Sequence, residues 1–257
     1  MTFTAYGDVD AILTALRDGV AAALAEELAG VYVTGSLAWG GYAPGASDID
    51  VLVATSRPLS PEQFETLRAL HGSLRESDPP LSHRMDVPYL TVVELAGGEP
   101  AGTHPMADSS VLRMVPHTLE RTFDRHIGRE RGIVLLGPPP REIIAAVTPD
   151  QLRAATHEEL RGPWMRNLQP EQEDWLRPRH RQAFAVLTMC RALHTLHTGE
   201  LLSKPDAAGW AIEHVDVRWH ELIGRSLAWR FDRTPDDVEE TRAFMRFVLN
   251  AARQYGG

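Results

Sequence analysis

The chain has 257 residues, 43% hydrophobic and 24% charged, which suits one large globular domain or two ordinary ones and not a disordered chain. No apolar run approaches the roughly 18 residues that cross a bilayer, and the opening MTFTAYGDVD has no basic-then-apolar signal pattern; a lone cysteine, Cys190, excludes a disulfide framework and a four-cysteine zinc site, so a cytoplasmic address is expected. The net charge of −9, with no lysine-rich arm, excludes non-specific adhesion to nucleic acid, and a nucleotide would need accompanying metal ions or local basic groups.

From Val9 to Leu28, apolar side chains recur at three- and four-residue intervals (Ile12, Leu13, Leu16, Val20, Leu24, Leu28), which predicts an amphipathic helix ended by Gly30. The short Val31-Tyr32-Val33-Thr34 predicts a strand, residues 35–45 a glycine-rich turn, and residues 48–54 a second strand. Ser60-Pro61-Glu62-Gln63 combines a cap, a first-turn proline and a capping-box glutamine ahead of a helix over 64–74. Further strands are expected over 85–93 and 132–137, before Pro138-Pro139-Pro140. Beyond that point the pattern is helical: a capping box at Thr148-Pro149-Asp150-Gln151, a broad apolar face over 184–196, and helix starts at Lys204-Pro205-Asp206 and Thr234-Pro235-Asp236. The expected architecture is α/β (α+β), with a small mixed sheet in an N-terminal domain over 1–147 and an α-helical bundle over 148–257.

Chemistry concentrates in Val33-Thr34-Gly35-Ser36 and, after eleven residues, Asp48-Ile49-Asp50-Val51-Leu52-Val53. Strand alternation puts Asp48, Asp50 and Leu52 on one face and the apolar Ile49, Val51 and Val53 on the other. Two carboxylates about 6.6 Å apart along a strand repel unless a cation lies between them. Hard oxygen donors suit Mg²⁺, which commonly joins one or two carboxylates to substrate phosphates. Gly35 would let the backbone approach a phosphate, and the hydroxyls of Ser36 and Ser47 lie within reach of the same group. A third acid completes such a site, as metal ligand or as base for a hydroxyl; Asp86 on the next strand is the candidate and Glu94 the fallback.

These residues resemble the signature of the DNA-polymerase-β-like nucleotidyltransferases, Gly35-Ser36 followed by Asp48-x-Asp50. Within that superfamily the chain is similar to the streptomycin/spectinomycin adenylyltransferases over roughly residues 30–230. The likeness rests on Gly137-Pro138 after Ile133-Val134-Leu135-Leu136, on Val186-Leu187-Thr188-Met189-Cys190-Arg191, on His197-Thr198-Gly199 and on Ser203-Lys204-Pro205-Asp206-Ala207-Ala208 ahead of Trp210-Ala211. The resemblance implies AMP transfer from Mg-ATP to a hydroxyl of an aminocyclitol or aminoglycoside, with release of pyrophosphate and the nucleotide held between two domains. It implies metal binding by Asp48, Asp50 and Asp86, and nucleotide contacts from Arg191, Lys204 and, after one gap, Trp229. Lys204 also stands at a helix start, where the backbone dipole already presents positive charge and an anion would compensate it.

Two positions depart from the family. Its third acid is usually Glu, where Asp86 is one methylene shorter, and its acidic substrate contact falls on the basic Arg177-Pro178-Arg179-His180-Arg181. Glu171, Glu173 and Asp174 are the nearby acids that would replace that contact, and the basic run leaves room for a different hydroxyl substrate. His194 and His197, three apart on a helix, have no third ligand at helical spacing, and Cys190 lies in an apolar run; both read as packing. The expected partners are ATP, Mg²⁺ and a small hydroxylated, cationic acceptor for a monomeric enzyme, with no nucleic acid and no membrane. The rival readings are nucleotidyl transfer to a partner protein and a nucleotide-binding module without turnover.

Overall fold

Apolar residues every third or fourth position build the first helix, Gly7–Leu24, in which Leu13, Leu16 and Val20 are completely buried. Each side chain of this kind contributes about 1.5–3 kcal/mol through burial. The helix stops earlier than expected, at Ala25, whose φ is 48°, and Gly30 lies inside strand β1 (Leu28–Val33). Tyr32 explains that glycine. A Cβ on Gly30 would stand 2.3 Å from the Tyr32 hydroxyl, which donates a hydrogen bond of 3.0 Å to the Pro138 carbonyl. Gly30 is a packing position, not a helix stop.

A four-residue helix, Gly35–Ala38, replaces the first part of the expected open turn, and strand β2 (Ile49–Thr55) begins one residue after Asp48. The capping box forms as read: the Gln63 amide donates to Ser60 Oγ at 3.2 Å, and the Ser60 amide donates to Gln63 Oε1 at 2.9 Å. It starts a helix, Pro61–Ser77, that runs past the expected end. Strand β3 (Met85–Thr91) stops short of Val93 because Thr91 caps the short helix Val92–Leu95. Strand β4 (Thr103–Asp108), strand β5 (Val111–Pro116) and the helix Arg121–Arg131 carry no sequence signal of their own. Ser109 and Ser110 join β4 to β5 with φ of 52° and 58°, the left-handed pair that matches the twist of a tight hairpin. Strand β6 (Ile133–Leu136) follows.

The strands form one mixed sheet in the order β5-β4-β3-β2-β1-β6, with β2 and β3 parallel and the remaining pairs antiparallel. Ile49, Val51 and Val53 pack on one face with Leu13, Leu16 and Leu67. Leu52 and Ala54 point the other way, into a smaller core with Tyr32, Leu90, Leu95 and Ile144. The alternation read from the sequence is therefore real from Ile49 onward, and it turns Asp50 onto the second face.

The structure is a computed structural model that describes residues 2–98, 102–119, 121–229 and 238–255. The chain divides into two compact units, Met1–Ala146 and Val147–Gly257. The second unit is helical: Pro149–Glu159, Arg179–Thr198, Lys204–His214, His220–Leu227 and Val238–Ala252 surround a core that includes Val186, Met189, Cys190, Phe244 and Val248. Its entry cap is the predicted one, with the Gln151 amide donating to Thr148 Oγ1 at 3.2 Å. The helix start expected at Thr234-Pro235-Asp236 lies outside the described residues. Among the described residues no helix is long and apolar enough to cross a membrane.

Candidate functional site

Parallel pairing of β2 with β3 sets Asp50 opposite Asp86, and antiparallel pairing of β3 with β4 sets Asp86 opposite Asp108. Residues that face each other in a ladder point to the same side of the sheet, so these three carboxylates form a row across neighbouring strands spaced about 4.8 Å apart. The row lies on the face that carries Leu52 and Leu90 further along the same strands. Asp48 is exposed just ahead of β2, and its charge reaches Asp86.

Electrostatics separate the members of this row. Burial, and after it the charge of Asp48, push the Asp86 carboxyl up to about 6; the Ser109 amide, donating to Asp86 Oδ1 at 3.3 Å, works in the opposite direction. Asp108 and Asp124 add smaller repulsions to Asp86. Asp108 is itself offset by an ion pair with Arg113 and accepts a hydrogen bond from Ser109 Oγ at 3.1 Å. The row is a concentration of negative charge, which a divalent cation would relieve.

Gly35 makes the geometry possible. Its φ is +57°, and a Cβ built there would stand 1.7 Å from Asp50 Oδ2 and 2.5 Å from Asp50 Cγ. The carboxylate of Asp50 thus lies in the space a side chain at residue 35 would fill. The Thr34 amide donates to the Asp50 carbonyl at 2.8 Å and ties β2 to the turn that carries Gly35 and Ser36. Ser36 Oγ is buried and has no hydrogen-bond partner among the described residues. A buried hydroxyl left in that state costs about 1–3 kcal/mol, which a bound oxygen ligand would return. Ser47 has a local task, its Oγ accepting from the Ala43 amide at 3.0 Å to hold the loop before Asp48.

Among the described residues no three carboxylate, imidazole or thiol groups converge into a ready-made ion cage. The donor set nevertheless fits a magnesium-bound triphosphate: hard carboxylate oxygens from Asp48, Asp50 and Asp86, an unpartnered hydroxyl on Ser36, and a cradle at Gly35 that a Cβ would close.

Glu94 leaves the candidate list. It is buried at the far end of β3, where its Oε2 accepts from the Thr91 amide at 2.7 Å and from Thr91 Oγ1 at 2.8 Å. Capping uses that oxygen, so Glu94 is no substitute for Asp86. Asp108, Asp124 and Ser109 were missed because the segments that carry them gave no sequence signal of strand or helix. An Asp-Ser-Ser turn between two short runs was the one available hint.

The basic and aromatic candidates belong to the second unit. Arg191 is half-buried on the helix Arg179–Thr198, and Lys204 is the first residue of the helix Lys204–His214. The Lys204 ammonium lies 3.7 Å from the centre of the Phe184 ring, so its position is set in part by a cation–π contact. Trp229 stands 6.3 Å from His180, ring centre to ring centre, and lines a small cavity with Arg179, Gln182 and Arg225. In the basic run, Arg177 pairs with Asp174 at 2.9 Å and Arg181 lies over Trp175 at 5.1 Å. The side chain of Glu173 lies outside the described residues. Packing accounts for His194, which donates to the Glu200 carbonyl at 3.1 Å and meets Trp210 edge-on. Burial pushes the Cys190 thiol up to about 12, which removes it as a nucleophile.

A mixed sheet with aspartates at the start of two parallel strands, beside a Gly-Ser turn, defines a nucleotidyltransferase of the polymerase-β-like class. The nucleotidyltransferase domain model matches residues 15–87, and the model of the aminoglycoside adenylyltransferase C-terminal domain matches residues 143–253. The chain thus resembles the aminoglycoside adenylyltransferases through its second half and the wider nucleotidyltransferases through its first. It is 26% identical to an aminoglycoside (3'') (9) adenylyltransferase of Rhizobium radiobacter over 79% of this chain and 77% of that one. A protein of the same name from Escherichia coli is also 26% identical, over 86% of each chain. In fold, the chain superposes on the crystal structure of spectinomycin adenyltransferase from Enterococcus faecialis with ATP and spectinomycin at a TM-score of 0.75, with 15% identity, over 95% of this chain and 99% of that one.

Proposed function

We propose that this protein transfers AMP from ATP to a hydroxyl of an aminoglycoside or aminocyclitol, releasing pyrophosphate. The observation that carries the reading is the register of Asp50 against Asp86 on parallel strands, with the Asp50 carboxylate seated in the space left by Gly35. Names of the relatives support the acceptor class: the curated proteins are aminoglycoside adenylyltransferases, and the solved structure carries ATP and spectinomycin.

In this reading the acceptor oxygen attacks the α-phosphorus, the bond to the bridging oxygen of pyrophosphate breaks, and the hydroxyl proton passes to a base. Asp48 and Asp50 would hold magnesium, with Asp86 completing the set; the ion supplies charge neutralisation along the triphosphate. Asp86 stands beside Asp50 and is the group that accepts the hydroxyl proton or orients the acceptor oxygen. Ser36 and Ser47 hold the outer phosphates through their hydroxyls. Arg191 and Lys204 offset phosphate charge from the second unit, and Trp229 offers an aromatic face to the base. The unit of residues 1–147 acts as the catalytic domain, and the unit of residues 148–257 clamps nucleotide and substrate. Catalysis then rests on positioning and charge compensation, as in phosphoryl transfer generally.

The test is incubation with ATP, Mg²⁺ and a panel that includes spectinomycin and streptomycin, followed by mass spectrometry of both small molecules and protein. An acceptor that gains one AMP, with one pyrophosphate released per transfer, is expected. AMP appearing on a protein, or nucleotide binding with no transfer to any member of the panel, would overturn the reading.

A further inference from the structure

The turn after β1 carries two buried polar groups, of which the reaction described so far uses one. Ser36 Oγ and Trp39 Nε1 are both enclosed, and neither has a hydrogen-bond partner among the described residues. They lie three residues apart on the short helix Gly35–Ala38 and its C-cap Trp39, a spacing that sets the two side chains next to each other, about 5–6 Å apart at Cβ. The Gly41 amide donates to the Ser36 carbonyl at 2.9 Å and closes the turn around them. An indole N–H can only donate. Enclosed and unpartnered, it calls for an acceptor, which an oxygen of a bound ligand would supply.

We propose that Trp39 Nε1 and the guanidinium of Arg131 hold the outer phosphates of ATP beside Ser36 and stabilise pyrophosphate as it leaves, a role that rests on the reaction proposed above. Arg131 lies over the Trp39 ring, 5.9 Å from its centre. Strand pairing brings the two together. Arg131 ends its helix two residues before Ile133, which pairs with Val33, and Val33 lies two residues before Gly35. Both segments therefore meet at one end of the sheet. The helix also packs on the turn, since a Cβ on Gly128 would stand 3.5 Å from Thr34 Cγ2. Arg121 and Arg129 of that helix are engaged by Asp124 and Glu130, whereas the exposed Arg131 has no ion-pair partner among the described residues.

Charge selects the occupant. The Asp50 carboxylate fills the space at Gly35, so a triphosphate at this turn meets acidic groups on one side and needs a cation on the other. Arg131 is that cation, and a guanidinium matches phosphate oxygens in geometry as well as in charge. An ammonium group of the acceptor would be repelled by Arg131, and the neutral adenine base would leave its charge unused. When the bond between the α-phosphorus and the bridging oxygen breaks, the electron pair stays on pyrophosphate. A fixed N–H and a guanidinium beside that growing charge bind the transition state more strongly than the ground state.

Calorimetric titration with Mg-pyrophosphate, and with AMP for comparison, tests the proposal. Trp39→Phe keeps a ring under Arg131 and removes the N–H, and Arg131→Gln, at an exposed position, removes the charge. Each should weaken Mg-pyrophosphate by about 10–100-fold and raise KM for ATP in proportion. Affinity for AMP, which has no outer phosphates, and KM for the acceptor should stay unchanged. The proposal falls if both variants bind Mg-pyrophosphate as wild type does, or if AMP weakens in the same proportion, which marks a general disturbance of the site. AMP transfer by wild type, with pyrophosphate affinity intact in both variants, leaves the proposed function standing and removes this role for Trp39 and Arg131. No transfer by wild type to any acceptor, with pyrophosphate affinity lost in both variants, does the reverse.

Discussion

Replacing Gly35 with alanine separates the two demands placed on that residue. The new Cβ would stand 1.7 Å from Asp50 Oδ2, against a practical floor of 3.0 Å, so the carboxylate must withdraw by about 1.3 Å or the turn must move. Alanine at a φ of +57° adds a backbone cost of about 1–2 kcal/mol. Displacing a catalytic group by about 1 Å costs about 100-fold in rate, equivalent to about 2.7 kcal/mol of barrier. Gly40 supplies the control, because its φ is +74° and nothing lies within 4 Å of a Cβ built there. Gly40→Ala therefore meets a similar backbone cost without touching Asp50. Pyrophosphate release under saturating ATP and acceptor, read beside thermal melts, should show both variants destabilised by about 1–2 kcal/mol and only Gly35→Ala slowed by about 100-fold or more. Equal turnover in the two variants would refute the argument that Gly35 exists to seat the Asp50 carboxylate.

Four further outcomes follow from the same structure. Asp86→Asn should lower kcat/KM by about 1,000-fold or more. In chelator at pH 8 it should nevertheless melt above wild type, because the folded protein holds that carboxyl at about 6 and its ionised form opposes folding at higher pH. His71 is fully buried against the Tyr89 hydroxyl at 2.8 Å, and burial pushes its pKa from 6.5 down to about 4. A depressed histidine pKa gives stability that is complete above 6.5 and is lost as pH falls through 4. Urea titrations at pH 7.5 and pH 4 should therefore differ by up to about 3 kcal/mol in wild type, and by much less in His71→Leu. Ser60→Ala removes the cap of Pro61–Ser77 and should cost about 1 kcal/mol in the same titration at neutral pH, with turnover unchanged. Lys204→Met keeps an apolar stem against Phe184 and should raise KM for ATP about tenfold or more, with a smaller change in kcat.

Local chemistry was legible without coordinates wherever a few adjacent residues settle the matter. Ser60 with Gln63 and Thr148 with Gln151 cap helices because each pair lies three residues apart and satisfies its own amides. Alternation in β2 assigned Asp50 to one face and Val51 and Val53 to the other, since successive side chains of a strand must point oppositely. Gly35-Ser36 with Asp48-x-Asp50 points to nucleotide chemistry from residue types and spacing alone. The β4–β5 hairpin was illegible. Thr103–Asp108 contains a proline and two polar ends, and its strand state depends on pairing with β3 and β5, not on its own propensity.

Distances between residues far apart in the chain were settled by tertiary structure alone. A strand's faces are set by its own alternation, but its register against a neighbour is set by packing, and a slip of one residue would have turned Asp86 away from Asp50. The same packing drew Asp108 into the row and brought the His104 ring centre within 5.0 Å of that of His117. Residue types and short spacings carried the chemistry of this protein; which groups share that chemistry was decided by long-range strand pairing, whose energy depends on partners that no local stretch of sequence contains.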